Sequence, residues 1–187
     1  MGKNIFFVVL ISLFFINAHS QTKNRFAKEQ TWELGGSVGF SSITEVYNGN
    51  THTAITNISL HPYIGYFFMD GFEVGLIPGM DYYSQSSFNY TTFVIYLEPA
   101  YNFNTNSIAY PYIQGGIGYN SISGGGIRSV SGFAWDIEGG VKLNLFGNSL
   151  LKFSFDYNQK TQNPENYDGL RNGLNTFNFV VGFNVFF

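Results

Sequence analysis

The chain has 187 residues, a formal net charge of −3 and no cysteine. Only 11% of its residues are charged, against roughly a quarter in an ordinary soluble domain, whereas 19% are aromatic and 22 residues are glycine. This composition excludes structural disulfides, thiolate metal sites and a lipid-modified cysteine, and an acidic chain with no basic run is not built to meet nucleic acid.

Lys3 precedes an apolar run over residues 5–16, and Ala18-His19-Ser20 stands before Gln21. A basic start, a short apolar core and a small-x-small exit have the form of a secretory signal peptide. Residues 1–20 are therefore expected to be removed, residues 21–30 to form a periplasmic N-terminal tail, and residues 31–187 to form the exported domain. The apolar run is shorter than the ~20 residues a spanning helix needs, and no longer one follows. An exported chain of this kind is either soluble or a β-barrel.

From residue 31 onward, eight segments of alternating character can be phased, separated by turn residues. The last shows the pattern most plainly. Phe177, Phe179, Val181, Phe183, Val185 and Phe187 fall on one face and Thr176, Asn178, Val180, Gly182, Asn184 and Phe186 on the other, as alternate residues of a strand do. Twelve residues tilted by about 45° rise roughly 28 Å, close to the thickness of a bilayer's hydrocarbon core. The other segments follow suit, with Ile58, Leu60, Ile64 and Phe68 on one face of the second, and Phe133, Trp135, Ile137 and Val141 on one face of the sixth. Phasing by the apolar residues alone places Glu33, Glu73, Asp81, Glu98, Asp136, Glu138, Lys142, Lys152 and Asp156 on the opposite face in every case. Charge plays no part in setting the phase, so the agreement is independent support.

The connections alternate in length. Residues 69–71, 104–106 and 147–149 are tight, while 42–53, 85–91, 123–130 and 161–175 are longer and rich in Gly, Ser and Asn. Outer-membrane barrels have short periplasmic turns and long external loops, which places both termini in the periplasm. Parity predicts three-residue turns that oppose Phe68 to Phe72 and Leu145 to Leu151. The same symmetry opposes Pro62 to Pro78 and Pro99 to Pro111, and local bulges are expected there because proline removes a ladder hydrogen bond.

Periodicity does not say which face is inside, since a lipocalin-like barrel turns its apolar face inward. The polar face carries Gly35, Gly39, Gly65, Gly75, Gly79, Gly116, Gly118, Gly140 and Gly182, residues that pack a narrow interior better than they solubilise an exterior. The fold class is thus an all-β, eight-stranded antiparallel up-and-down transmembrane barrel, monomeric, with its greasy side against outer-membrane lipid and its lumen filled by side chains. Lys142 and Lys152 are natural partners for Glu138, Asp156 or Glu98, and Arg128 and Arg171 are placed to fold over the outer mouth toward Asp81 or Asp136. His61, on the lumen face, is read as part of this polar network. It is not a metal ligand, because no second His or Cys lies near it.

No cofactor is implied. His52 has Thr51, Thr53 and Glu45 in its loop, the bare elements of a lipid-modifying site, but a solvated loop histidine is the simpler reading. Gly124-Gly125-Gly126 lacks the lysine of a phosphate loop. The charges support a filled lumen first, and a narrow cation path second, since rings of acids select cations.

Taken together, Pro62-Tyr-Ile-Gly-Tyr66 before a tight turn, Phe72-Glu-Val-Gly-Leu76 after it, Glu98-Pro99 with Tyr101, and Pro111-Tyr-Ile with Gly115, Gly116 and Gly118 resemble the small outer-membrane β-barrel domain family, porin-like proteins that include OmpX-like and OmpW-like barrels. Gly182, Val185 and terminal Phe187 look like that family's C-terminal assembly signal. The resemblance implies residence in the cell outer membrane and insertion by the barrel-assembly machinery after periplasmic chaperones. The expected role is non-enzymatic, as a structural envelope component or minor pore. The rivals are a channel for small cations or apolar solutes, a lipid-modifying enzyme, and an adhesion module acting through residues 161–175.

Overall fold

In the computed structural model, the described residues are 26–43, 46–47, 50–51, 55–85, 88–105, 107–124, 127–162 and 172–187. The expected signal peptide, His52 and Arg171 lie outside them, as do the side chain of Arg128 and much of the external connections. Eight long strands form a closed barrel: β1 (Trp32–Ile43), β2 (Ile55–Met69), β3 (Phe72–Gln85), β4 (Phe88–Asn102), β5 (Ala109–Gly124), β6 (Ile127–Phe146), β7 (Ser149–Gln162) and β8 (Asn172–Phe186). Each pairs antiparallel with its sequence neighbour, and β1 closes on β8. A two-residue ladder of Val46–Tyr47 with Asn50–Thr51 rides between β1 and β2.

The alternation resolves as the charges indicate. Phe93, Ile95, Leu97, Phe133, Ile137, Phe179 and Phe183 face outward and are exposed, while all nine charged residues phased to the other face are buried. Such a surface is unstable in water and matched to hydrocarbon. Aromatic rings gather near both rims: Trp32 against Tyr66 (4.8 Å) and Tyr101 against Phe103 (5.0 Å) at the turn end, Trp135 against Tyr157 (5.7 Å) and Phe155 against Phe177 (5.8 Å) toward the other. These are the interfacial girdles of a membrane barrel.

Facing is as expected, but register departs from expectation wherever period two is blind to it. Between β2 and β3 the body keeps the predicted register, with Gly65 opposite Gly75. Its turn is two residues, Asp70-Gly71, closed by Met69 and Phe72, with Phe68 left unpaired as a bulge. Gly71 holds φ 81°, a left-handed backbone that a side chain would strain. Between β6 and β7, Leu151 faces Leu143 and not Leu145, which bulges before the Gly147-Asn148 turn. The β4–β5 connection spans residues 103–108, not 104–106, so Pro111 lies opposite Phe103, whose N–H donates to its carbonyl (2.8 Å).

No register shift occurs at the prolines, contrary to expectation. Pro62 pairs toward β1 with Gly36 and Pro78 toward β4 with Ile95, and the ladder between β2 and β3 simply lapses from Leu60↔Met80 to Ile64↔Leu76 in unchanged register. Two missing N–H donors placed opposite each other cost one gap where separate sites would cost two. The long connections are also shorter than expected. β3 runs to Gln85 and β4 begins at Phe88, and β5 reaches Gly124 with β6 resuming at Ile127.

One seam is weak. β1 and β8 share the ladder from Glu33↔Phe186 to Ser37↔Gly182, extended by the Trp32–Phe187 backbone pair, although β1 stays paired to β2 as far as Ile43 and β8 to β7 as far as Asn172. Above it, Val38, Phe40 and Phe177 reach 70% exposure or more.

Candidate functional site in the lumen

Small residues on the inner face make room for large polar ones. A Cβ on Gly65 would collide with the Glu73 carboxylate, and one on Gly116 would stand 2.5 Å from Asp136 Oδ1 and 2.7 Å from Glu98 Cγ. Charged side chains therefore fold across the lumen instead of leaving a bore.

At the turn end, Lys142 Nζ donates to Glu33 Oε2 (2.7 Å) and Glu73 Oε2 (3.2 Å), and all three residues are at most 1% exposed. Asn184 Nδ2 donates to Glu33, and Asn102 Nδ2 to Glu73 Oε2 (3.0 Å). The ammonium also lies 5.3, 5.6 and 5.1 Å from the ring centroids of Phe26, Tyr63 and Tyr112, within cation–π range. Phe26 is the floor of this compartment: 1% exposed, it packs edge-on against Phe67 (5.4 Å) and Tyr110 (4.8 Å) and lies beside Phe186 (5.3 Å). Residues 26–30, expected to belong to a periplasmic tail, are pinned there. Gly71 N–H donates to Ala27 O (2.8 Å), Gln30 N–H to Phe67 O (2.8 Å), and Lys28 pairs with Asp70 (2.5 Å). The Lys28 ammonium, joined by the Glu29 N–H, holds the Asp70 carboxyl below the ordinary carboxylate range.

Midway, Lys152 Nζ lies 2.8 Å from Glu138 Oε1, which also accepts from the Tyr112 hydroxyl. Gln114 Nε2 bridges Glu98 Oε2 (2.6 Å) and Glu138 Oε2 (3.2 Å). Asp156 accepts from Asn158 (2.7 Å) and Asn178 (3.0 Å). Toward the other end, Asp81 takes Lys160 (2.9 Å) and His61 Nε2 (3.0 Å). A cavity of about 50 Å³, lined by His61, Tyr96, Glu98, Asp136, Asp156, Asn158 and Lys160 among others, remains between these layers. That is room for a few waters and no bore.

Every predicted lumen residue is thus on the inner side. Lys152 has one of its expected partners, Glu138. Lys142 does not: its carboxylates come from β1 and β3 across the barrel. Phasing that stops at Tyr157 omits Lys160, because β7 continues to Gln162. Asn102, Gln114 and Asn184 share the parity of the charges, and that signal identifies them as network members. Of the C-terminal trio, Gly182 is buried toward the lumen, Val185 faces out, and Phe187 is exposed with its backbone paired to Trp32 (2.9 and 3.0 Å).

No protein-family model and no curated protein matches the sequence. Solved structures do match in fold. Neisserial surface protein A superposes with a TM-score of 0.55 at 16% identity, covering 83% of this chain and 94% of that one. OprG of Pseudomonas aeruginosa gives 0.54 at 15%, covering 88% and 99%. The N-terminal β-barrel domain of Pseudomonas aeruginosa OprF gives 0.52 at 17%, covering 85% and 98%. The chain has the fold of the small outer-membrane β-barrels. An apolar band outside and charge inside put this barrel in a membrane, and the outer membrane is where proteins of this fold reside. The resemblance drawn from the motifs therefore holds at the level of fold.

Proposed function

We propose that the protein is a non-enzymatic envelope component, an integral barrel whose lumen is a polar core and not a conduit. The observation that carries this reading is Lys142, clamped between two buried carboxylates and flanked by the rings of Phe26, Tyr63 and Tyr112. An ion entering from the periplasm would have to displace an aromatic floor and break a buried triad, and leaving such charges unpaired costs several kcal/mol. His61 is held by Asp81 in a site shared with Lys160, an arrangement that fixes a side chain rather than activating a nucleophile. Reconstitution into planar bilayers tests the reading: silence at moderate voltage is expected, and stepwise ohmic conductance would reject it in favour of a pore.

A second role, engagement of a partner outside the cell, is favoured by strand length. β6 has 20 residues and β5 has 16, where about 9–11 suffice to cross. The surplus at the end away from the turns carries Ser121 and Ser123 on β5, alternating with the buried Asn120 and Ile122. Replacing residues 163–171 by a Gly-Ser linker is expected to abolish surface attachment without unfolding the barrel, and unchanged attachment would remove this role.

A further inference from the structure

We propose that residues 26–31 act as a lock on the closed ring, a strap that docks only after β8 has met β1 and whose release lets that junction part. The inference goes beyond the filled-lumen reading and holds whether or not the lumen conducts. Its first ground is the socket. The buried cluster around Phe26 takes Phe67 from β2, Tyr110 from β5, Leu150 from β7 and Phe186 from β8. No single hairpin holds these four side chains, and Phe67 and Phe186 belong to the two strands that flank β1. The socket therefore exists only in a completed ring, and the strap cannot seat earlier. Once seated, it ties both neighbours of β1 together. Phe26 lies on Phe186, while Gln30 N–H donates to Phe67 O (2.8 Å), Phe67 N–H to Thr31 O (2.9 Å) and Gly71 N–H to Ala27 O (2.8 Å).

The second ground, independent of packing, is strain. Ala27 and Gln30 hold φ of 59° and 67°, a left-handed backbone disfavoured for any residue with a Cβ. Two such residues in one short segment persist only where the surroundings over-determine them. A strap strained when seated and relaxed when free has two states, and its contacts with the ring decide between them. One of those contacts, Lys28 with Asp70, is itself exposed to solvent at the turn end. The third ground is where the seam is fastened. Beyond Ser37↔Gly182 the ladder stops. A Cβ on Gly39 would meet Ser59 of β2 and no atom of β8 within 4 Å, whereas one on Gly35 would lie against Asn184 and Phe183. The junction is thus held at the turn end alone, which is where the strap sits, so a fastener there sets how fast the ring opens.

The test staples the junction and asks whether the strap still matters. The chain has no cysteine, so Leu34→Cys with Val185→Cys, a pair in direct register across the seam, forms a single disulfide that can be made or reduced in one preparation. Unfolding of the detergent-folded protein in urea is followed by loss of the heat-modifiable band, with the oxidised fraction separated on a non-reducing gel. In the reduced form, Phe26→Ala is expected to unfold at least about tenfold faster, and in the oxidised form the acceleration should shrink below about twofold. Gln30→Gly, at an exposed position, relieves the left-handed backbone and should slow unfolding in the reduced form only. Equal acceleration by Phe26→Ala in both forms would make the strap ordinary packing and overturn the proposal, as would no acceleration in the reduced form. If Phe26→Ala does not fold, Gln30→Gly decides: unfolding unchanged in the reduced form, or slowed equally in both, rejects the lock. Channel activity is a separate readout: ohmic conductance with the strap effect intact would sink the filled-lumen reading and leave the lock standing.

Discussion

At the turn end of the lumen, two glutamates share one lysine, two asparagines donate to them, and an aromatic floor seals the group from below. Halfway up the same wall, built from the same alternation, Glu98 and Asp156 meet side-chain amides, and neither they nor Asp136 have a lysine within ion-pair distance among the described residues. The first region has its counter-charge in direct contact; in the second the nearest ammoniums, Lys152 and Lys160, are paired with neighbouring carboxylates. Alternation assigns a residue to a side of the wall, whereas compensation depends on what stands opposite across the bore, and the two regions differ only in that.

The comparison breaks most sharply at Lys142. Lys142→Met should leave Glu33 and Glu73 buried without a cation, at a cost of about 3–5 kcal/mol, read as loss of the heat-modifiable folded band or a matching fall in urea midpoint in detergent. Phe26→Ala should follow, with a loss of about 3 kcal/mol, typical of truncating a buried phenylalanine, and with transient conductance appearing in planar bilayers as the floor is removed. Gly116→Ala sharpens the contrast from the other side. Its Cβ would crowd Asp136 and Glu98, and overpacking of this sort costs about 1–3 kcal/mol, whereas alanine at Gly115, on the outer face, should be nearly silent in the same unfolding assay.

The smallest effect concerns the exposed Lys28–Asp70 latch. The folded Asp70 carboxyl titrates below its ordinary value, so its contribution is full above about pH 3.9 and is lost as pH falls through the depressed value. Wild type and Asp70→Asn should differ slightly in urea midpoint at pH 5 and converge toward pH 2. A gap that widens on acidification would contradict this sign.

Much of the architecture was legible because period two is so strict. Glu33 or Glu138 could not move to the lipid side without carrying every neighbour along, which is why sidedness emerged from apolar spacing alone. A slip of two residues, by contrast, preserves every facing, so nothing in the spacing distinguished Leu143 from Leu145 as the partner of Leu151, or revealed that Pro111 stands opposite Phe103. Bulges at Phe68 and Leu145 made the difference, and they depend on turn backbone at Gly71 and Gly147. The candidate site was half legible for a related reason. Its members share a parity, but pairing Lys142 with Glu33 bridges 109 positions in the chain, and no local pattern encodes that distance. Phe26 was hidden too, because a lone aromatic ahead of the first strand has no periodicity to betray it.

The short ladder between β1 and β8 bears on how the ring comes into being. Every other strand meets a chain neighbour through a hairpin that can zip up locally, whereas this junction unites the two extremes of the domain and is stitched by five ladder pairs and the Trp32–Phe187 backbone pair. Closure is therefore the step with the greatest entropic toll and the fewest fasteners, so a cylinder pulled open under force or denaturant should unroll from there, its remaining staves still joined as a curved ribbon.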